Sequence, residues 1–308
     1  FYRLPPYQKL PQYMWELKKY FKENHYLIVH SHLNTLSIFP LFIAWICKVP
    51  VRIAHNHSVP SGKEIKRYIL KCFLRLFAKV FPTDYFACSE KAGRWMFGNR
   101  AFDSGRVFVM KNAIDFKKFR PTNEETEYLK NKFDLKNKFV VGHIGRFTYA
   151  KNHNFLLNIF SEITIKKRNA VLLLVGDGEL HQTIVNKIKQ KGLEDRVVFA
   201  GQVANPGFYY SLADVIVIPS LFEGLSLATI ESQIAGIPSV VSEVIPEEAI
   251  ISNGVKRLKL SDKNWVNEII NMANSKVMLN EKSKSYNIEY AVKDLQHWYV
   301  CKVKKLLD

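Results

Sequence analysis

The sequence of 308 residues contains little cysteine, and its four cysteines never form a CxxC pair. This spacing excludes a disulfide scaffold and a cysteine-type zinc site, and it fits a reducing compartment. A long apolar run is also missing. The longest covers residues 36–47 and contains Pro40, whereas a bilayer span needs about 20 apolar residues. The four cysteines are Cys47, Cys72, Cys88 and Cys301.

Acidic residues are scarce beside the basic ones, since 28 Asp and Glu stand against 45 Lys and Arg and leave a net charge of +17. Such an excess implies an anionic partner, which could be nucleic acid, an anionic membrane surface or a phosphate-bearing substrate. The chain contains no nucleic-acid-binding motif, so nucleic acid is disfavoured. The hydrophobic fraction of 47% is that of a globular protein with a core and excludes wholesale disorder.

No internal repeat and no Pro- or Gly-rich linker interrupts the chain. Short β-branched runs alternate with longer amphipathic runs, a pattern typical of βαβ units around a parallel sheet. The length suggests two domains, and a charged stretch at residues 121–137 separates the two halves. We predict strands at 26–29, 51–54, 85–88, 107–110, 139–144, 171–175, 197–199, 214–218 and 239–242, and helices at 36–47, 63–81, 152–166, 179–191, 226–235 and 285–305. A further helix is predicted to start at Ser89.

Two glutamates stand eight residues apart, at Glu223 and Glu231. The first lies in a glycine-containing turn after a predicted strand, and the second lies just over two turns along the following helix. A helix N-terminus suits a diphosphate, and a carboxylate two turns along can accept hydrogen bonds from the hydroxyls of a ribose. The alternative is a solvated acidic helix face, which the strand–turn–helix setting disfavours.

Two cations follow another predicted strand. Arg146 and Lys151 stand five residues apart, so they can grip one phosphate group, the arginine as a planar fork and the lysine as a point charge. Ordinary surface charge is the alternative. The next strand ends in Gly-Asp-Gly at residues 176–178, where glycine permits close approach of the backbone to a ligand. Many turns in α/β proteins have the same composition, so this signal is weak alone.

Two histidine pairs end two predicted strands of the first half, His30 with His32 and His55 with His57. Four histidines near one sheet edge raise the question of zinc. No carboxylate or cysteine completes a coordination set, so the sequence disfavours a metal here. Hydrogen bonding to sugar hydroxyls or to an acceptor group is the favoured interpretation, and packing at the strand ends is the alternative.

The helix predicted at 63–81 is basic and amphipathic, with six cations against one glutamate. Such a helix can lie on an anionic bilayer. The alternative is an ordinary domain helix whose apolar stripe belongs to the core. Both interpretations hold together if the stripe is buried and the lysines face lipid head groups.

Taken in chain order, these motifs resemble family 4 glycosyltransferases, which are retaining enzymes with the GT-B fold, and among them the bacterial capsular and exopolysaccharide glycosyltransferases. The likeness covers about residues 25–255, and the spacing of the two glutamates matches the E-x7-E motif of that family. The matching stretches are RIAHNH at 52–57, DYFACSE at 84–90, GHIGRF at 142–147, Lys151-Asn152, VGDG at 175–178, VFAG at 198–201, and Glu223 with Glu231.

The resemblance implies a role for each matching residue. Arg146 and Lys151 would hold the donor diphosphate and stabilise it as the leaving group. Glu231 would bind the ribose, Glu223 would lie near the donor sugar, and His57 would lie close to the donor sugar and the acceptor. Further donor contacts are expected at Gly145, Gly176, Asp177, Gly224, Leu225, Ser226 and Leu227.

The implied function is transfer of a sugar, with retention, from a nucleotide-sugar donor. The favoured donor is a UDP-sugar, and the acceptor would be a growing capsular or exopolysaccharide or a saccharide linked to undecaprenyl diphosphate. Arg146 and Lys151 would neutralise the charge of the diphosphate, as Mg²⁺ does in other enzymes, so no metal and no other cofactor is expected. A sugar-nucleotide epimerase and a non-catalytic sugar-nucleotide-binding subunit of an assembly complex are the alternatives. The expected location is the cytoplasm, on the inner face of the membrane.

The resemblance also implies the architecture, an α/β protein in which two Rossmann-like doubly wound domains face each other across a cleft. We expect an acceptor-side domain at residues 1–122, a donor-binding domain at 123–284 and a helix at 285–308 that crosses back to the first domain. Family members begin with a strand and a glycine-rich loop that this chain lacks. We therefore expect the first domain to be truncated by roughly 30–60 residues, one or two βαβ-scale pieces.

Overall fold

The computed structural model describes residues 4–58 and 65–307. The chain divides into two compact units, one formed by Phe1–Ala113 with Glu289–Asp308 and the other by Ile114–Ile288. No helix within the described ranges is both long enough and apolar enough to cross a membrane.

Both units are built of parallel strands and helices. In the described part of the chain the strands are β1 Ile28–Ser31, β2 Val51–Asn56, β3 Asp84–Ala87, β4 Val107–Val109, β5 Phe139–Ile144, β6 Ala170–Val175, β7 Val197–Gly201, β8 Val215–Ile218, β9 Ser239–Ser242 and β10 Val255–Leu258. The α-helices are α1 Leu10–Asn24, α2 Ile38–Ile46, α3 Ile65–Arg75, α4 Glu90–Phe97, α5 Asn99–Asp103, α6 Asn123–Lys132, α7 His153–Lys166, α8 His181–Gln190, α9 Gly207–Tyr210, α10 Leu227–Ile234, α11 Trp265–Met272 and α12 Ile288–Leu307.

The first unit has a four-stranded parallel sheet in the order β1-β2-β3-β4. Its centre is apolar, because Ile53 on β2 and Phe86 on β3 are fully buried. Helix α4 begins where the Ser89 hydroxyl accepts a hydrogen bond from the Ala92 N–H at 3.2 Å, the N-cap that the sequence places there. Helix α12, at the end of the chain, belongs to this unit, where Trp298 packs edge-on against Phe86.

The second unit has a six-stranded parallel sheet in the order β10-β9-β8-β5-β6-β7. Counted within the unit from the β7 edge, this order is 3-2-1-4-5-6, the doubly wound arrangement that reverses between its first and fourth strands. Strands β6 and β8 are buried along their whole length, as expected when helices cover both faces of a sheet. The order places the ligand-binding crevice at the carboxyl ends of β5 and β8.

Most predicted elements are confirmed within one or two residues, and β5 and β9 match fully. Six helices and strands of the described part match no predicted element: α1, α5, α6, α9, α11 and β10. Of these, α5 and α9 are only five and four residues long. Helix α6 buries only Leu129 and starts with a capping box between Thr122 and Glu125. It lies within residues 121–137, the charged stretch that separates the two halves of the sequence.

The predicted helix at 63–81 is shorter where the structure describes it. Its first two residues lie outside the described ranges, and α3 ends at Arg75. The backbone beyond it forms turns, in which N–H groups donate three residues back, as from Leu76 to Phe73 at 3.1 Å.

Candidate functional site

The loops that follow β5 and β8 are hydrogen-bonded to each other at the switch point of the second unit. The Leu221 N–H donates to the Ala150 carbonyl at 2.8 Å, and the Asn152 side-chain amide donates to the Pro219 carbonyl at 3.1 Å. Asn152 holds this position in the left-handed region, with φ of 54°. These bonds fix the two loops that carry the predicted lysine and the first predicted glutamate.

Lys151 and Glu223 form an ion pair in these loops. The Lys151 ammonium donates to Oε1 of Glu223 at 2.5 Å, and the Ser220 hydroxyl donates to the same oxygen at 2.9 Å. The two charged side chains are only 18% and 13% exposed. A pair so shielded from water interacts more strongly than a surface pair, and its carboxylate is held in one orientation by two donors.

Glu231 lies on α10 with its carboxylate mostly buried. The hydroxyl of Tyr210, a fully buried residue on α9, donates to Oε2 of Glu231 at 2.8 Å. Burial raises the pKa of Glu231, while the Tyr210 hydrogen bond and the positive charge of Lys151 act in the opposite direction. The positive charge of Lys151 therefore acts on Glu231 as well as on Glu223. The three residues predicted from the sequence, Lys151, Glu223 and Glu231, interact electrostatically with one another through this lysine.

The N-terminus of α10 is made by an unusual backbone. Ser226 is its N-cap and has φ of 55°, in the left-handed region that non-glycine residues rarely occupy. Its buried hydroxyl lies 2.9 Å from that of Thr229. A Cβ placed on Gly224 would meet no atom within 4 Å, so the turn before the helix borders open space. Residues held in such sparsely populated backbone regions cluster at active sites and ligand-binding sites.

The glycines in the turn after β6 let this turn pack closely against the backbone of the loop after β5. A Cβ on Gly176 would come within 2.1 Å of the Gly145 carbonyl oxygen, and one on Gly178 within 2.5 Å of the Phe147 oxygen. The Asp177 carboxylate accepts from the Gly178 N–H at 2.8 Å and contacts Nδ1 of His181 at 2.8 Å. The Gly178 hydrogen bond, and then His181, lower the pKa of Asp177.

Arg146 is the one predicted cation that is not part of the shielded group. Its side chain is 76% exposed, and its Nε lies 3.7 Å from the Glu179 carboxylate. The structure thus brings Lys151 to Glu223 and leaves Arg146 at the rim of the same crevice.

Two buried histidines support the lysine loop. His143 on β5 donates from Nδ1 to the Val217 carbonyl on β8 at 2.8 Å, and its ring meets the His153 ring edge-on at 4.8 Å. Burial, and next the charge of Lys151, lower the pKa of His153 to about 4. Burial also lowers the pKa of His143, so both rings are neutral at pH 7.

His57 lies in the first unit, within a tetrad that we define as His30, His32, His55 and His57. Its Nε2 lies 2.8 Å from Nδ1 of His32, and its Nδ1 lies 2.9 Å from Oδ1 of Asn112. Burial, followed by the neighbouring histidines, lowers the pKa of His30 to about 3 and that of His55 to about 2. These two rings are neutral at pH 7.

Sequence reasoning missed Tyr210, Ser220 and Asn112. Each is an ordinary residue type in its segment, and each acquires a role only through a partner distant in the chain. The signal that could have found Tyr210 is weak, because a tyrosine on an apolar helix is usually core.

Comparison with known proteins places the chain in a family. The model of "Glycosyl transferases group 1" matches residues 125–294, which is more than half of the chain. EpsF of Bacillus subtilis (strain 168), named as a glycosyltransferase, is 32% identical over 246 residues, covering 78% of this chain and 64% of EpsF. The chain therefore spans less than two thirds of the length of that relative.

A second relative is UDP-Gal:alpha-D-GlcNAc-diphosphoundecaprenol alpha-1,3-galactosyltransferase of Escherichia coli, 27% identical over 278 residues, with 87% of this chain and 72% of the relative covered. Among solved structures, HepE of Anabaena in complex with UDP has a TM-score of 0.75 at 17% identity, covering 96% of this chain and 84% of HepE. This likeness confirms the predicted α/β, GT-B architecture with two parallel sheets. By its matching family model, the chain belongs to the group 1 glycosyl transferases.

Proposed function

We propose that the protein is a retaining hexosyltransferase of family 4 that moves a sugar from a UDP-sugar to a saccharide or an undecaprenyl-diphosphate-linked acceptor during capsular or exopolysaccharide synthesis. The observation that carries the proposal is the shielded Lys151–Glu223 pair at the switch point, with the buried Glu231 carboxylate beside it. The E. coli relative, whose name specifies a UDP-Gal donor and a diphosphoundecaprenol acceptor, supports this choice of substrates. The second unit is the proposed donor-binding unit and the first the acceptor-side unit.

The donor diphosphate is proposed to replace Glu223 as the partner of Lys151. Both are anionic oxygen groups, and the lysine ammonium is already held at this place in the crevice. Released from the lysine, Glu223 keeps its hydrogen bond from Ser220 and can accept another from a hydroxyl of the donor sugar. Arg146, exposed at the rim, can approach the diphosphate without breaking a short hydrogen bond.

Glu231 is the proposed ribose-binding group. Tyr210 holds one carboxylate oxygen, which fixes the plane of the carboxylate for hydrogen bonds from the two ribose hydroxyls. The backbone N–H groups from Gly224 to Leu227, at the start of α10, are proposed to approach the phosphate or the sugar. Gly145, Gly176 and Asp177 shape the opposite wall of the crevice.

In the proposed transfer, the bond between the anomeric carbon and the diphosphate breaks, and the acceptor hydroxyl attacks from the same face. Lys151 and Arg146 stabilise the negative charge that develops on the leaving diphosphate. Because these two cations neutralise that charge, the proposed step needs no metal ion at the diphosphate and no other cofactor. His57 of the first unit is the proposed contact to the donor sugar and the acceptor.

The decisive experiment is calorimetric titration of the full chain with UDP, GDP and ADP. We expect UDP to bind, and Glu231→Gln to weaken it about 10-fold or more, because a hydrogen bond to a charged group is worth about 1.5–3 kcal/mol. The exposed Glu243→Gln in the same unit is the matched control. Failure of a folded second unit to bind any of the three nucleotides would contradict the proposal.

Turnover separates the remaining alternatives. With UDP-sugars and lipid-linked acceptors, Lys151→Met is expected to lower turnover about 100-fold, and the exposed Lys191→Met to leave it unchanged. Nucleotide binding without transfer to any acceptor would favour a non-catalytic subunit. Epimerisation or hydrolysis of the donor without acceptor would favour the epimerase.

We further propose that the protein binds the cytoplasmic face of an anionic membrane through α3 and the turns after it. In this segment Leu74 and Ala78 are buried, whereas Ile69, Phe73 and Leu76 are 61%, 57% and 72% exposed. The apolar stripe is therefore available to lipid. Exposed apolar side chains beside cations suit an anionic bilayer surface. The cations of this segment include Lys71, Arg75 and Lys79.

Vesicle flotation tests the membrane proposal. Vesicles with about one third anionic lipid are expected to bind the chain, with binding weakened by salt and by the double change Ile69→Ser with Phe73→Ser. The matched control is Leu306→Ser, which removes an apolar side chain that is 47% exposed on α12. Equal binding of both variants would exclude α3 as the membrane-binding element.

A further inference from the structure

The four histidines of the tetrad meet at the carboxyl ends of β1 and β2 in the first unit. His30 lies on β1 and His55 on β2, while His32 and His57 follow the two strands. One ring nitrogen each of His30, His32 and His55 can be chosen so that all three atoms lie within 4.8 Å of one another. In the described part of the chain, no other group of three potential metal ligands is so close.

The distance between two of these nitrogens already fits a shared metal ion. Nε2 of His30 lies 3.2 Å from Nδ1 of His55. Two imidazole nitrogens bound to one tetrahedral zinc are about 3.3 Å apart, because each Zn–N bond is about 2.0–2.1 Å. The third ring, His32, is stacked on His30 at 4.3 Å between ring centroids and is exposed, so an ion could enter from solvent.

The hydrogen bonds around the tetrad leave the required lone pairs in place. The oxygen of Tyr299 lies 2.6 Å from Nδ1 of His30, so it can accept the ring proton there and leave Nε2 of His30 unprotonated. Likewise, His32 can donate from Nδ1 to Nε2 of His57, which in turn donates from Nδ1 to Asn112. Partners that fix the tautomer of a ligand in this way are typical of metal-binding histidines.

His55 completes the set from the buried side. Only 3% of this residue is exposed, and its Nε2 is buried without a hydrogen-bond partner among the described residues. With its proton on Nε2, the ring presents the lone pair of Nδ1 toward His30.

We propose that His30, His32 and His55 bind one divalent transition-metal ion, zinc being the probe ion, and that His57 orients His32 from behind. An all-imidazole set suits zinc, copper or nickel and not magnesium. The sequence disfavours zinc because no carboxylate or cysteine completes the set, but the structure supplies a third imidazole instead. The ion ties the ends of two strands together within the first unit. None of its three ligands is a residue proposed above for donor or acceptor binding, whereas His57, which is such a residue, only supports His32.

Metal titration of the untagged, chelator-treated full chain tests the proposal. Zinc, monitored by competition with a chromophoric chelator, is expected to bind at one equivalent per chain. The double change His30→Gln with His55→Gln is expected to weaken binding at least 100-fold. The matched control is His25→Gln, which removes one exposed histidine of the same unit. Equal affinity of the double variant would overturn the proposal.

A second measurement uses the unmodified protein, so that misfolding of a variant cannot obscure the result. X-ray absorption at the zinc edge is expected to count three imidazole ligands, and fewer than three would contradict the site. Zinc is also expected to stabilise the first unit against urea. At free zinc 100-fold above its Kd, the unfolding equilibrium constant should fall about 100-fold. An unchanged urea midpoint would show that the ion does not bind the folded tetrad.

Discussion

Removing the lysine of the Lys151–Glu223 pair should destabilise the second unit. Lys151→Met would leave the Glu223 carboxylate, 13% exposed, with Ser220 as its remaining donor among the contacts described above. Loss of one partner of a fully buried pair costs about 3–5 kcal/mol, and loss of an exposed pair less than about 1. For this intermediate exposure we expect the free energy of unfolding to fall by about 2 kcal/mol.

A double-mutant cycle isolates the pair from the other effects of each substitution. With Glu223→Gln in the same chain, the uncompensated charge is gone, so the further cost of Lys151→Met should drop to about 0.5 kcal/mol. The difference, about 1.5 kcal/mol, is the coupling energy of the pair. Additive effects of the two substitutions, with a coupling energy near zero, would refute the reasoning that shielding makes this ion pair strong.

Trp265 provides a probe confined to the second unit. It is 1% exposed, and the four other tryptophans belong to the first unit. The ¹⁹F resonance of this residue in 5-fluorotryptophan-labelled protein, assigned with Trp265→Phe, would follow unfolding of the second unit alone. Urea is the suitable denaturant, because guanidinium chloride would screen the pair under study.

The structure also predicts three further outcomes. Tyr210→Phe should weaken UDP binding by calorimetry about 3- to 10-fold through loss of one hydrogen bond to Glu231, whereas the neighbouring Tyr209→Phe should not. Gly176→Ala should destabilise the second unit by more than about 2 kcal/mol in urea unfolding, because φ is +130° and the added carbon meets backbone. Because burial lowers the pKa of His153 to about 4, the unfolded state binds its proton first as pH falls below about 6.5. The contribution of His153 to the free energy of unfolding is therefore fully present above that pH and is about 2 kcal/mol smaller at pH 5. Below pH 6.5, His153→Gln should reduce the pH dependence of the free energy of unfolding by about 1.4 kcal/mol per pH unit.

The sequence by itself determined the alternation of strands and helices and the chain order of the motifs. Strands β5 and β9 could be predicted residue by residue, because continuous β-branched runs are buried on both faces of a parallel sheet. The eight-residue spacing of Glu223 and Glu231 likewise follows from local geometry, since a turn and about one helical turn separate them, one helical turn fewer than the sequence predicts. Information of this kind lies within one segment of the chain.

Only the tertiary structure decided which side chains meet. Lys151 and Glu223 are 72 positions apart, and the strand order that brings β5 beside β8 makes them partners. The same applies to Tyr210 and Glu231, and to His30 and His55. Hydrophobic periodicity predicts which face of a helix or strand is buried, but it does not predict which other helix or strand that face packs against. The exposed stripe of α3 shows this, because an apolar face that predicts a core position remains open to solvent.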